Sequence, residues 1–139
     1  MSNPMVEFNK KVIAEFRSSG GKVGGQFAGA PMIIITHTGA KSGKIYTSPL
    51  VYSKDGDRFV IIASKAGAPR NPSWYHNLLA HPDVTVEIGT ENFKARATEA
   101  KGAERDRLFA AQAKLMPQFN EYQKKTNRRI PVLVLERVK

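Results

Sequence analysis

Two short stretches concentrate the residue types that grip an anion. Thr38-Gly39-Ala40-Lys41-Ser42-Gly43-Lys44 combines glycine, hydroxyl and basic side chains, and Ser64 to Arg70 repeats the mixture with Lys65, Gly67 and Arg70. Glycine lets a backbone approach a ligand closely, and successive N–H groups in a turn form a concave anion site. Taken alone, the first loop has two readings: a polar hairpin turn with solvated lysines, or a grip for a phosphate or carboxylate. Trp74 with Tyr75, and Phe119 with Tyr122, are either plain core packing or an apolar wall for a flat ring.

Other chemistries find little support. His37, His76 and His81 sit at no metal-ligand spacing and lack nearby acidic clusters, so no metal site is expected and each reads as a surface or packing histidine. Cysteine is absent, which removes disulfides, thiolate catalysis and cysteine-based metal sites. There is no G-x-S-x-G elbow, no dinucleotide fingerprint and no P-loop, and the acidic residues suggest no paired-carboxylate machinery. An enzyme built from these residues needs a cofactor to carry the chemistry.

The bulk properties agree. The chain has 139 residues, which suits one domain (1–139, with an N-terminal helix and glycine-rich loop over 1–30), and a formal charge of +10 from 22 Lys+Arg against 12 Asp+Glu. A basic excess favours an anionic partner: nucleic acid, an acidic membrane surface or a polyanionic small molecule. Nucleic acid is not expected, since the lysines are scattered and the aromatics read as buried. No apolar leader precedes the first helix, and the run Met32–Ile35 is too short to span a bilayer. A cytoplasmic location is expected, with peripheral contact at the inner face of the cell membrane as the further option. A homodimer is also open.

The elements that must position these residues follow from periodicity. Met5, Phe8, Val12 and Phe16 mark a helix over Pro4–Arg17, with Asn3 as cap. Ser18 to Ala30 reads as a glycine-rich loop. The apolar run from Met32 and the mixed run Ile45–Tyr52 form a hairpin around the first anion loop. Ser53–Asp57 reads as a turn built on Asp-Gly, and Arg58–Ala63 as a strand. Asn71 reads as a helix cap with Pro72 at the first helical position, leading Ser73–His81. On that helix Trp74, Tyr75 and Leu78 point inward, and His76 and Asn77 face a site. Strands follow at Val84–Ile88 and Glu91–Ala97. A helix from Gly102 buries Leu108, Phe109, Ala113 and Leu115, and breaks at Met116-Pro117 before a short helix carrying Phe119 and Tyr122. Ile130–Val138 is the last strand. Strands joined mostly by hairpins predict an α+β fold with a mainly antiparallel sheet, closed toward a barrel with flanking helices.

Gly20-Gly21-Lys22-Val23-Gly24-Gly25, Thr38–Gly43, Ser48-Pro49-Leu50, Ala63–Gly67 and Asn71-Pro72-Ser73-Trp74-Tyr75-His76-Asn77-Leu78 occur in that order. In this combination the chain resembles the deazaflavin-dependent nitroreductases and quinone reductases of actinobacteria. The resemblance implies a split β-barrel of the FMN-binding type. It implies binding of reduced coenzyme F(420), an 8-hydroxy-5-deazaflavin with a polyanionic tail, with FMN as the alternative cofactor. By position, Ala40, Lys41 and Ser42 would contact the tail, and Tyr46, Thr47, Ser48, Pro49, Leu50 and Val51 would line the ring. Ile62, Ala63, Ser64 and Lys65 would hold the deazaflavin edge and phosphate. Ser73, Trp74, Tyr75, His76 and Asn77 would close the pocket, with Phe119 on its apolar wall. The implied reaction is hydride transfer to a quinone or similar electrophile, nitro compounds included, with Ser64 and Tyr122 as the polar groups near the acceptor. Family members that reduce nitroimidazoles carry tyrosines where this chain has Met116, Phe119 and Tyr122. That departure bears on nitroimidazole reduction more than on quinone reduction, which needs only an apolar slot. A non-catalytic cofactor carrier or basic binding module is the alternative outside the enzymes.

Overall fold

The computed structural model describes residues 4–22, 24 and 31–138, and only the backbone of residues 4–7 and 66. The Asn3 cap, the Met5 side chain, and Val23 and residues 25–30 of the glycine-rich loop therefore lie outside the described residues.

Among the described residues four α-helices and seven strands follow in the order α1 (Pro4–Ser18), β1 (Met32–Thr38), β2 (Ile45–Val51), β3 (Ser53–Asp55), β4 (Arg58–Ile62), α2 (Ser73–Ala80), β5 (Asp83–Ile88), β6 (Glu91–Ala100), α3 (Gly102–Leu115), α4 (Gln118–Lys124) and β7 (Val132–Arg137). A 3-10 turn, Lys65–Gly67, lies between β4 and α2. The strands form one sheet in the order β2-β1-β5-β6-β7-β4-β3, antiparallel at every pairing. It curls into the half-barrel of a split-barrel-like α+β fold.

Alternation along the strands sorts the core into an inner and an outer layer. Ile33, Ile35, Phe59, Ile61, Val84, Val86, Leu133 and Leu135 face inward and pack on Trp74, Tyr75 and Leu78 of α2. On the outer side Met32 and Ile34 pack on Val12 and Phe16 of α1. Val60, Ile62, Val132 and Val134 meet Leu108, Phe109 and Ala113 of α3 and Phe119 of α4. Both faces of β1, β4 and β7 are covered, which is why those strands read as nearly unbroken apolar runs. Arg17, in the last turn of α1, is anchored to Glu87 of β5 by two hydrogen bonds of 2.9 and 2.7 Å.

Three local expectations change. The Ser53–Asp57 turn is a β-hairpin, because Ser53, Lys54 and Asp55 pair with Val60, Phe59 and Arg58 across Gly56-Asp57. Leu115 is 71% exposed and contributes nothing to the core; it is the last residue of α3. Asn71 does not cap α2; Pro72 occupies that position, and the Asn71 amide oxygen accepts a bond from Arg128 instead. Among the described residues no helix is long and apolar enough to cross a membrane.

Among the described residues one buried side-chain group has no hydrogen-bond partner. Ser53 Oγ donates to Gln112 Oε1 at 2.9 Å, while Gln112 Nε2 has no partner and the residue is fully buried. Turning the amide over only exchanges which atom is left unpaired. Replacing both partners by apolar groups, Ser53→Ala with Gln112→Leu, removes a desolvation cost of about 1 kcal/mol or more. The double variant is expected to melt a few degrees above the wild type by differential scanning calorimetry; a lower midpoint would show that the amide is worth its place.

Candidate functional site

The first anion loop closes on itself before it offers anything to a ligand. Gly39 N–H donates to the Lys44 carbonyl at 2.7 Å, Gly43 N–H to the Gly39 carbonyl at 3.1 Å, and Lys44 N–H to Ser42 Oγ at 3.2 Å. Gly39 is buried, and a Cβ there would stand 2.5 Å from Ser42 Oγ and 2.8 Å from the Tyr46 ring. Only glycine fits, so the loop folds tightly over Tyr46 and leaves Ala40, Lys41, Ser42 and Lys44 exposed.

A buried polar chain ties this loop to two other elements. Ala40 N–H donates to Asn77 Oδ1 at 2.9 Å, which fixes the orientation of the Asn77 amide. Its Nδ2 then faces His37 Nδ1 at 3.1 Å and must donate. The imidazole proton is therefore on Nε2, which donates to Ser48 Oγ at 3.0 Å. That leaves the Ser48 hydroxyl hydrogen free to donate elsewhere. His37 is 3% exposed, and burial pushes its pKa down to about 4. It is a neutral relay at neutral pH, with the Tyr46 ring stacked 6.0 Å away.

Strand register separates the expected ring-lining run into two sets. Tyr46, Ser48 and Leu50 stand opposite His37, Ile35 and Ile33 and share their inner face. Thr47, Pro49 and Val51 point the other way, where Val51 packs with the α1 cluster. The second loop begins with buried Ile62, Ala63 and Ser64 and continues to exposed Lys65 and Arg70. Among the described residues the Ser64 and Tyr122 hydroxyls have no hydrogen-bond partner in the protein. Gly67 is packed against α4: a Cβ there would stand 2.8 Å from the Tyr122 carbonyl oxygen and 2.9 Å from Lys125 Cβ.

On α2, Ser73 and His76 are exposed while Trp74, Tyr75 and Asn77 are buried. Tyr75 donates its hydroxyl to Glu99 Oε1 at 2.9 Å, and burial reinforced by that carboxylate pushes its pKa up to about 12. Its hydroxyl is committed to β6. Phe119 is 3% exposed and belongs to the outer core, edge-on to half-buried Tyr122 with centroids 5.4 Å apart. Two surface hollows, one beside α4 at Phe109, Pro117 and Glu121 and one at Lys101, Arg105 and Arg129, include no residue of either anion loop.

The electrostatics are one-sided. No Asp or Glu stands between Glu15 and Asp55, or between Asp57 and Asp83. Those two acid-free spans contain both loops, β2 and α2. Among the described residues Lys41, Lys44, Lys65 and Arg70 form no ion pair, whereas the arginines elsewhere, Arg128 apart, pair with Asp55, Asp83, Glu87, Glu91, Glu104 or Asp106. Several described lysines elsewhere, Lys22, Lys54, Lys94 and Lys114 among them, also form no ion pair, but Lys94 and Lys114 stand outside the acid-free spans. The acid gap is visible in the sequence; the His37–Asn77 link, forty positions apart, is not. Among the described residues no group of His, Asp and Glu is arranged to hold a metal ion.

A curled antiparallel half-barrel, with an unneutralised cationic rim beside an apolar inner face, defines a cofactor-binding split-barrel domain. The family model for the F(420)H(2)-dependent quinone reductases matches residues 8–137, and the chain belongs to that family. An F(420)H(2)-dependent quinone reductase of Mycobacterium tuberculosis is 40% identical over 128 residues, covering 89% of this chain and 86% of its own. A solved F(420)-H2 dependent reductase is 39% identical with a TM-score of 0.70, over 76% of this chain and 94% of its own. A relative solved as a domain-swapped dimer is 33% identical with a TM-score of 0.73, over 96% and 100%.

The neutral His37 has a measurable signature. Its folded pKa of about 4 lies below the ordinary 6.5, so between those values the unfolded chain binds a proton that the folded chain refuses. Stability from this group is complete above pH 6.5 and is lost as pH falls toward 4, by at most roughly 3 kcal/mol. In His37→Gln that window of the pH–melting curve is expected to flatten. Parallel curves for variant and wild type would remove His37 as the titrating group.

Proposed function

We propose that this chain binds reduced coenzyme F(420) across its two anion loops and passes a hydride to a quinone. The observation that carries the reading is the set of four exposed, unpaired cations, Lys41, Lys44, Lys65 and Arg70, grouped in acid-free segments beside the inner face. That donor set fits a cofactor whose tail carries a phosphate and several carboxylates, because each cation is still available for a charge-assisted contact. The match to relatives named for F(420)H(2)-dependent quinone reduction supplies the cofactor's identity.

Within this reading Ala40, Lys41 and Ser42 hold the tail, and Ile62 to Lys65 hold the phosphate and the ring edge. Tyr46, Ser48 and Leu50 present side chains to the ring from the inner face, while Thr47, Pro49 and Val51 contribute main chain only. Ser73 and His76 stand at the exposed side of α2. Trp74, Tyr75, Asn77 and Phe119 act from behind, as the packing that holds the walls. When bound, the reduced deazaflavin supplies the hydride, and conversion of a quinone to its hydroquinone requires one proton in addition. Ser64 and Tyr122, whose hydroxyls are uncommitted, are the groups that hydrogen-bond the acceptor oxygen and pass that proton. The apolar inner face excludes water and orients the two reactants.

The relative solved as a domain-swapped dimer supports self-association, for which β2 and β3, the edge strands of the sheet among the described residues, are the available surfaces. Peripheral membrane contact through α1 is less well supported, since Val12 and Phe16 are already buried against the sheet.

Titrating the protein with F(420) and with FMN, followed by fluorescence, tests the cofactor. Tight binding of F(420) with weak binding of FMN is expected, and the reverse order would make this an FMN enzyme. Lys41→Ala is expected to weaken the long-tailed cofactor about tenfold, the value of one charge-assisted contact, while leaving a tail-less deazaflavin unchanged. Equal loss for both would return the Lys41 loop to a solvated turn.

A further inference from the structure

Arg128 belongs to no helix or strand, yet its side chain makes four hydrogen bonds to the second anion loop and its flanks. It lies in the connection from α4 to β7, and its guanidinium is turned back beneath Ala63–Asn71. Nε donates to the Ala68 carbonyl at 2.9 Å, and Nη2 to the Ser64 carbonyl at 2.7 Å. Nη1 donates to the Ala63 carbonyl at 3.1 Å and to Asn71 Oδ1 at 2.7 Å. All four acceptors are neutral, and among the described residues no carboxylate pairs with Arg128. Burial lowers its pKa, yet an arginine keeps its charge at neutral pH. The base of the side chain is itself fixed. Gln123 Nε2 donates to the Arg128 carbonyl at 2.8 Å, and the Arg128 N–H donates to Thr126 Oγ1 at 3.3 Å.

This arrangement determines what the loop shows on its other side. In a trans peptide the carbonyl and the following N–H point in opposite directions. With the Ala63 and Ser64 carbonyls aimed at Arg128, the N–H groups of Ser64 and Lys65 face away from it. Ser64 is in the right-handed region at φ −76°, ψ −39°, and Lys65 is in the left-handed region at φ 47°. That alternation gathers successive N–H groups into a concave cradle for an anion. A residue with a Cβ does not favour positive φ, so the conformation needs an external brace. Lys65 is the one non-glycine residue at positive φ among those described, and it stands beside a carbonyl that Arg128 holds.

We propose that Arg128 is a positioning residue of the cofactor site, its guanidinium holding the Ser64–Lys65 main chain so that these N–H groups face the phosphate of the bound cofactor. The proposal rests on the deazaflavin reading above, and the test keeps the two apart. Arg128→Lys retains the charge but cannot reach four acceptors at once, and Arg128→Gln removes the charge as well. Each variant is titrated with F(420) and with a deazaflavin lacking phosphate and tail, and its melting temperature is recorded. Both variants are expected to bind F(420) about tenfold or more weakly, while the tail-less compound binds within about twofold of wild type. Wild-type affinity for F(420) in both variants would overturn the proposal and leave the cofactor reading intact. Equal loss for both ligands, following the fall in melting temperature, would reduce Arg128 to a purely structural brace and overturn it too. The third arm titrates inorganic phosphate into 15N-labelled protein. The Ser64 and Lys65 amide resonances are expected to shift in the wild type and not in Arg128→Gln. If the wild type fails to bind F(420), the cofactor reading falls, and this arm alone decides the proposal. Arg128-dependent shifts would uphold it for a phosphate ligand; shifts that are absent, or equal in both proteins, would overturn it.

Discussion

A buried amide must satisfy both its oxygen and its nitrogen inside the protein, and Asn77 does so by joining three pieces of chain. Its oxygen takes the Ala40 N–H from the first loop, and its nitrogen serves His37 on β1. His37 in turn reaches Ser48 on β2. Leaving any of these groups unpaired in the core would cost on the order of 1–3 kcal/mol. The first loop, the hairpin that carries it and the helix inside the sheet therefore hold one another in place. The apolar residues on the same helix, Trp74 and Leu78, supply adhesion without direction. The polar chain supplies the direction.

A similar division operates on the other side of the site. Arg105 of α3 donates to the Ile130 carbonyl at 3.1 and 2.8 Å and to Gln123 Oε1 at 2.9 Å, so the chain leaving α4 is clamped before it enters β7. The guanidinium of Arg128 extends that clamp into the second loop. Arginine suits both tasks because its planar fork presents several donors in fixed directions. The exposed lysines have a different role. They are flexible point charges in stretches of chain that contain no carboxylate.

Much of this was legible in the residues. The helical spacing of Val12 and Phe16 marked α1, the nearly unbroken apolar runs marked β1, β4 and β7, and Met116-Pro117 separated α3 from α4. Each of those signals is local, so a window of a dozen residues contains it. The hairpin at Ser53–Asp55 was missed because that strand is polar and is held by its partner β4, not by apolar residues of its own. Asn71 looked like a cap because the competing bond comes from Arg128, 57 positions away. His37 was assigned to surface or packing, and its relay depends on contacts 11 and 40 positions distant. Periodicity cannot see such pairs. The acid-free spans were readable from the start, but their meaning depended on the fold bringing both of them to the same helix.

The seam at Gly67 has a consequence for how such a protein can diversify. A Cβ there would run into the main-chain carbonyl of Tyr122 and the Cβ of Lys125, an atom nearly every residue has. The loop therefore senses the path of α4 and is blind to which side chain stands at position 122. Substitutions on the exposed face of α4 can accumulate without disturbing its seat on the second loop. In the proposed site, one scaffold could in this way accommodate acceptors of different shape while the anion loop keeps its form.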